Sequence, residues 1–360
     1  MRNAVKPYAV VCVLVCVQAW AAPPLPPLGA DGTATVSGLS SGAYMAVQLH
    51  VAHSSRIKGA GALAGGPYYC AQGSLWTAYY NCMKPGAFTP LPSPATLKNA
   101  TDRLAAAGRI DPTANLASAR AWLFTGTHDD TVARAVVEEL QAFYAAYKTA
   151  TVLVRDKPAG HAMITLDAGN KDCGATRSPF INDCDYDAAG VLLQYLAGPL
   201  APPAASPSGR LQSFDQTPFG GYESSMDDEG YVYIPKDCET QRCRVHVAFH
   251  GCRQGRGAVN DTFAREAGYN RWADTNRIVV LYPQAIARWW WVYNPDGCWD
   301  WWGYNRRPIP HQGRRADPRR HGHAQPPWRA PEIMEAIASI TWGCSPIASS
   351  SLRATPGRVL

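Results

Sequence analysis

The chain has 360 residues, of which 46% are hydrophobic, 10% aromatic and 17% charged, a composition that supports a large core and excludes intrinsic disorder. The formal net charge of +6 does not mark a nucleic-acid or membrane-binding face, because it arises in one stretch: residues 305–330 hold seven arginines and a single acid, Asp317, and the rest of the chain is neutral. Length alone allows one large domain or two ordinary ones, and no repeat of solenoid period is visible.

Residues 1–21 open with Arg2 and Lys6, continue through an apolar run over 8–17 and end in Ala19-Trp20-Ala21, the small-x-small form that signal peptidase cleaves. This predicts a secretory signal peptide and a soluble protein, periplasmic or released from the cell. The apolar run is too short to remain as a membrane anchor.

Residues 33–36 alternate and are β-branched, Gly38-x-Ser40-x-Gly42 interrupts them, and Tyr44, Met45, Val47, Leu49 and Val51 then recur at near-helical spacing. The pattern reads strand, tight turn, helix. Strand-like runs follow at 59–64, 121–125 and 151–155, with a helix-like run over 132–147 between the last two, an alternation that argues for an α/β sheet. A helix is expected over 185–196. The proline-rich stretch 198–209 reads by itself as a linker. Beyond it the α/β pattern resumes, with strands at 231–234, 244–249 and 278–282 and a helix around 263–275.

Outside the leader nine cysteines remain, and eight fall into plausible pairs. Cys70–Cys82, Cys173–Cys184 and Cys238–Cys243 would staple local loops, and Cys252–Cys298 would tie a strand end to a tryptophan-rich segment. Each bridge contributes about 2–4 kcal/mol when unstrained. Zinc is the rival reading, but no pair joins zinc-ligand spacing to partnered histidines, Cys238 and Cys243 coming nearest, so no metal site is expected. Cys344 is left over.

The glycines of Gly38-x-Ser40-x-Gly42 permit the sharp strand-to-helix turn that exposes a nucleophilic serine, although a glycine-rich surface loop would have the same spelling. In folds with this elbow the acid and the base follow in that order. Asp129, at the end of the 121–125 strand, would hold the tautomer of His161, which follows the 151–155 strand and would take the serine proton. Asp130 and His128 compete for the acid and base roles, whereas His50, His53 and His246 suit structural roles. The backbone N–H of Ser41 supplies one donor for a developing oxyanion. The second has no earlier strand to come from, and His250-Gly251-Cys252 offers the N–H of Cys252 instead, unless that string only ends a strand.

Taken together, the runs 38–45 (GLSSGAYM), 64–70 (AGGPYYC), 126–132 (GTHDDTV), 160–162 (GHA), 250–252 (HGC), 282–284 (YPQ) and 297–304 (GCWDWWGY) resemble the polyhydroxybutyrate (PHB) depolymerases whose catalytic domain is a circularly permuted α/β-hydrolase. The resemblance covers about residues 30–304. It implies a single catalytic domain over 22–304 with the α/β-hydrolase fold, Ser40 as nucleophile, Asp129 as acid and His161 as base. It also implies oxyanion donors at Ser41 and Cys252, a Cys252–Cys298 bridge, a polyester or oligoester substrate, and no cofactor.

The tryptophans at 289–291, Trp299, Trp301 and Trp302 suit a crevice for methyl-bearing ester units, with Trp302 and Trp299 the favoured substrate contacts. Rival functions are a carboxylesterase for feruloyl or acetyl groups on polysaccharide, and a non-catalytic polymer-binding protein. After Tyr304 the chain departs from the family. The Arg/Pro/His-rich text of the 305–360 tail resembles a GC-rich frame read out of register, and the family's closing helix is expected to be missing.

Overall fold

The structure, a computed structural model, describes residues 22–26, 28, 30–167, 169–220, 224–290, 293–305 and 330–341. The expected leader and most of the 305–360 tail lie outside the described residues.

The strands are β1 (Ala30–Leu39), β2 (Ile57–Leu63), β3 (Arg120–Phe124), β4 (Ala150–Val154), β5 (Met163–Thr165), β6 (Lys171–Asp172), β7 (Ile181–Asp183), β8 (Arg210–Asp215), β9 (Glu229–Ile234), β10 (Cys243–Phe249) and β11 (Ile278–Tyr282). Eight of them form one sheet in the order β4-β3-β2-β1-β10-β11-β9-β8, while β5, β7 and β6 make a small sheet of their own. Pairing is parallel from β4 to β11, and β9 and β8 join antiparallel. The helices are α1 (Ser41–Ala52), α2 (Leu75–Tyr80), α3 (Pro94–Ala106), α4 (Arg134–Ala145), α5 (Ala188–Ala197), α6 (Arg256–Val259), α7 (Thr262–Glu266), α8 (Tyr269–Asn276) and α9 (Ala330–Thr341).

Strand alternation sorts the side chains into two faces. Ala34 and Val36 of β1, Val245 and Val247 of β10, and Val279 and Leu281 of β11 share a cluster with Met45 and Leu49 of α1 and with Ile333, Met334 and Ile337 of α9. On the same side Ala121 and Leu123 of β3 pack with Val137 and Leu140 of α4. Their strand neighbours point the other way, Trp122 and Phe124 meeting Leu192 and Leu193 of α5, and Val280 and Tyr282 meeting Tyr269 and Ala273 of α8. Continuous apolar strands such as Ile278–Tyr282 follow from this burial on both faces. The result is the expected α/β-hydrolase sheet with permuted chain order, because β1, which leads into the serine turn, lies between β2 and the much later β10.

Two expectations need correction. The helix anticipated around 263–275 is broken into α7 and α8 at Gly268, whose φ of 91° is a left-handed conformation that ends a helical turn. The closing helix expected to be missing is present within the tail: α9 contributes buried Ala330, Ile333, Met334, Ile337 and Ile340 to the core beside α1. Their i, i+3, i+4, i+7 spacing is amphipathic, and the arginine-rich text before it obscured that pattern.

The proline-rich 198–209 stretch is an internal connection. The Ala201 N–H donates to Asn276 Oδ1, and the N–H groups of Ser208 and Gly209 donate to the Asp274 carboxylate, both acceptors lying on α8. All four anticipated disulfides are formed, with Cα–Cα distances of 6.0 Å (Cys70–Cys82), 4.6 Å (Cys173–Cys184), 5.7 Å (Cys238–Cys243) and 4.3 Å (Cys252–Cys298).

Candidate active site

β1 ends in a turn that places Ser40 at φ 56° and ψ −123°, a backbone conformation that an L-residue adopts only under constraint. The constraint is the neighbouring strand end. A Cβ on Gly42 would lie 2.4 Å from the His250 carbonyl oxygen and 2.5 Å from that of Phe249, and a Cβ on Gly38 would lie 2.4 Å from the Gly42 carbonyl. The two glycines thus let the turn press against the end of β10, and the N–H of Ser41 opens helix α1, among the donors that lack an intrahelical acceptor.

The loop after β3 carries Asp129 and the loop after β4 carries His161, whose Nδ1 stands 2.9 Å from Asp129 Oδ2. Asp129 Oδ1 accepts from the N–H groups of Thr131 (2.9 Å) and Val132 (3.0 Å), so both carboxylate oxygens are committed, and its side chain is 2% exposed. The His161 N–H donates to Thr176 Oγ1 at 2.9 Å. Asp130 and His128 are exposed, and it is Asp129 that is bonded to the His161 ring.

The second loop comes from β10. His250 is fully buried, and burial pushes its imidazole down to about 4, so it is neutral at ordinary pH. Its Nε2 accepts from the Ala285 N–H at 3.0 Å, which leaves Nδ1 to donate to the Gly251 carbonyl at 2.6 Å. Gln254 completes the clamp, with Oε1 accepting from the Gly251 N–H and Nε2 donating to the carbonyls of Pro179 and Phe180. With the Gly251 N–H given to Gln254 and the Arg253 N–H given to the Asp296 carbonyl, the Cys252 N–H is framed by committed neighbours.

Ser40, Ser41, His161 and Cys252 all border one cavity of about 330 Å³. A larger cavity of about 590 Å³ lies elsewhere, beside Tyr233, Asp187 and Trp272, and touches none of these four residues. Trp302 lines the smaller cavity, but Trp299 does not. Trp299 is 1% exposed because its indole N–H finds its acceptor in the His250 carbonyl at 3.1 Å, and its ring packs edge-on against Phe249. It supports the loop from behind and its expected substrate contact is withdrawn. Trp289 and Trp290 are exposed, and Trp291 lies outside the described residues.

The sequence reading missed several walls of the cavity. Tyr44 stacks on Trp301 with ring centroids 3.9 Å apart, and its hydroxyl donates to the Cys82 carbonyl. Its position one helical turn after Ser40 was the available signal. Leu75 and Tyr79 of α2, with Phe180 and Tyr293, extend the apolar lining outward. His246 and His50 are fully buried, as their structural reading anticipated, bonded to Ser37 and Thr35 and to Tyr144 respectively.

No protein-family model matches the chain. A poly(3-hydroxybutyrate) depolymerase of Delftia acidovorans is 44% identical over 290 residues, 78% of this chain and 57% of that protein. A polyhydroxybutyrate depolymerase of Talaromyces funiculosus is 38% identical over 291 residues, 75% of this chain and 82% of that protein. The chain belongs to the PHB depolymerase family. It spans little more than half of the Delftia relative. A solved structure of a PHB depolymerase bearing a serine-to-alanine change, in complex with an R3HB trimer, superposes with a TM-score of 0.70 at 31% identity, covering 89% of this chain and 98% of that one.

Proposed function

We propose that this PHB depolymerase family member is a serine esterase that hydrolyses the ester bonds of poly(3-hydroxybutyrate) or its oligomers outside the cytoplasm. The observation that carries the reading is the convergence, at one apolar cavity, of a serine on a strained strand-to-helix turn and a histidine already bonded to a buried carboxylate.

Ser40 Oγ attacks the ester carbonyl carbon as its proton passes to His161 Nε2, while Asp129 keeps the other imidazole proton on Nδ1. The oxyanion accepts hydrogen bonds from the N–H groups of Ser41 and Cys252. Collapse of the tetrahedral intermediate breaks the bond to the next hydroxyacid unit, whose alkoxide takes the proton from His161 and leaves an acyl-Ser40. Water, deprotonated by His161, then attacks the acyl carbonyl and the acid departs as Ser40 recovers its proton. Leu39, Tyr44, Met83, Phe180, Trp301 and Trp302 give the methyl-bearing chain an apolar bed with few polar groups, which suits a polyester better than a polysaccharide. Four disulfides fit an oxidising compartment, and among the described residues no helix is long and apolar enough to cross a membrane.

The test is release of soluble 3-hydroxybutyrate products from amorphous polymer by the purified protein, with Ser40→Ala beside it. Release that vanishes in the variant supports the proposal. A folded wild type that releases nothing, or a Ser40→Ala protein that still does, refutes it, and resistance to an active-site organophosphonate would favour the silent polymer binder.

A further inference from the structure

Arginine and carboxylate charge enters the cavity lining at one place on its rim. Among the described residues that line it, Arg253 is the single arginine or lysine and Asp296 the single carboxylate. Arg253 directly follows the oxyanion donor Cys252 and sits at φ 58°, a left-handed conformation that costs a non-glycine residue about 1 kcal/mol or more and here is held by its N–H donating to the Asp296 carbonyl at 2.6 Å. The disulfide to Cys298 fastens the preceding residue. The backbone is therefore fixed, and the guanidinium stands 5.3 Å from the centroid of Phe180, another wall of the same cavity.

Its counter-charge is weakly engaged. Arg253 Nε is 3.9 Å from Asp296 Oδ1, beyond hydrogen-bond reach, and the two side chains are 65% and 56% exposed. Exposed pairs of this kind contribute little, and the planar guanidinium keeps its paired N–H groups available for a bidentate acceptor.

Resting on the esterase reading above, we infer that Arg253 binds the free carboxylate end of a hydroxyacid oligomer and makes the site selective for anionic chain ends. The chemistry supplies such ends continually. Each hydrolysis of an internal ester leaves a hydroxyl on one fragment and a carboxylate on the other, so every soluble product is an anion while the parent polymer surface is almost neutral. The carboxylate lies on the leaving-group side of the oligomer, and a cation beside the Cys252 loop meets it as the ester carbonyl reaches the oxyanion donors. Asp296 opposes this attraction and sets its strength.

The experiment compares kcat/KM for the linear 3-hydroxybutyrate trimer as free acid and as methyl ester, the ratio within each protein cancelling any general loss of activity. In the wild type the acid is preferred about 10-fold at low salt, as one charge-assisted pair warrants, and the preference falls toward one as salt rises to about 1 M. Arg253→Gln brings the low-salt ratio to about one through the KM for the acid, Arg253→Glu takes it below one, and Asp296→Asn raises it above the wild-type value. A wild-type ratio near one, or a preference that survives Arg253→Gln, overturns the inference. If the wild type cleaves p-nitrophenyl butyrate but neither trimer, the polyester reading itself fails and the inference falls with it.

Discussion

Asp129→Asn tests the triad more sharply than removal of the serine, because the structure dictates how the new amide must sit. Asp129 Oδ1 accepts two backbone N–H groups, from Thr131 and Val132, at 2.9 and 3.0 Å. An amide nitrogen there would face two donors, so the asparagine oxygen takes that place and its NH₂ group takes the place of Oδ2, pointing at His161 Nδ1, 2.9 Å from the carboxylate oxygen it replaces. The imidazole responds by accepting at Nδ1 and carrying its proton on Nε2, the nitrogen that should receive the serine proton. Every buried polar atom is still paired, so the fold loses at most about 1 kcal/mol, while the wrong tautomer lowers kcat by about 10⁴, or roughly 5.5 kcal/mol in the barrier. The assay is kcat on a p-nitrophenyl ester and on 3-hydroxybutyrate trimer, with thermal unfolding as the fold control. Asp130→Asn, at an exposed carboxylate one residue on, leaves both readouts near wild type. A loss below about 10-fold in Asp129→Asn, or an equal loss in Asp130→Asn, would refute the argument.

Gly42→Ala forces a methyl into backbone carbonyls on the facing strand end, at 2.4 and 2.5 Å, and is expected to cost about 3 kcal/mol or more in chemical denaturation. Gly257→Ala, where an added Cβ meets nothing within 4 Å, stays within about 0.5 kcal/mol, and similar stability of the two variants would remove the close-approach explanation. Trp299→Ala lowers stability by about 3–5 kcal/mol, whereas Trp302→Ala mainly raises KM for the trimer; a reversed pattern would restore Trp299 as a substrate contact. Burial pushes the Asp300 carboxyl up to about 7 from an ordinary 3.8, against the pull of the Asn305, Tyr304 and Gly303 N–H groups. The folded protein then holds a proton that the unfolded chain has already lost, so this contribution to stability is present below about pH 4 and disappears as pH rises through about 7. Asp300→Asn should flatten that part of the urea-midpoint profile, and an unaltered slope would assign it to other groups.

What could be read from the sequence was local chemistry with a spacing rule behind it. The serine turn and the loops with Asp129 and His161 each follow a strand, and alternating or continuous apolar runs mark those strands without knowledge of their neighbours. The choice between Asp129 and Asp130 was less legible, since adjacent carboxylates have the same spelling and differ only in which one accepts the N–H groups of Thr131 and Val132. Trp299 and Trp302 diverge for a similar reason. Both belong to one tryptophan-rich run, but the His250 carbonyl that draws the Trp299 indole inward lies far away in sequence. Tyr44 was hidden by its helix, where an aromatic at core spacing reads as packing, and α9 was hidden by the arginines that precede it. The short helix α2 has almost no buried face, with Ala78 its buried residue, so periodicity had nothing to detect.

The sheet order explains how a chain with rearranged connectivity can build this site. Parallel strands pair through backbone hydrogen bonds and shared burial, neither of which depends on which strand is synthesised first. Ser37 and Gly38 of β1 lie in register with Ala248 and Phe249 of β10, so the nucleophile turn and the His250–Cys252 loop emerge side by side from one end of the sheet. The N-terminal half holds Ser40, Asp129 and His161, the three residues proposed to move the proton. It lacks Cys252, the proposed second oxyanion donor, and the Trp301 and Trp302 wall, both of which arrive with β10 and the segment that the Cys252–Cys298 bridge ties to it. Gln254 joins the halves once more, reaching from the β10 loop to the carbonyls of Pro179 and Phe180. Removing that side chain would leave the Gly251 N–H and the Pro179 carbonyl without that partner, at the seam where the two halves make one cavity, while the Phe180 carbonyl keeps the Met163 N–H.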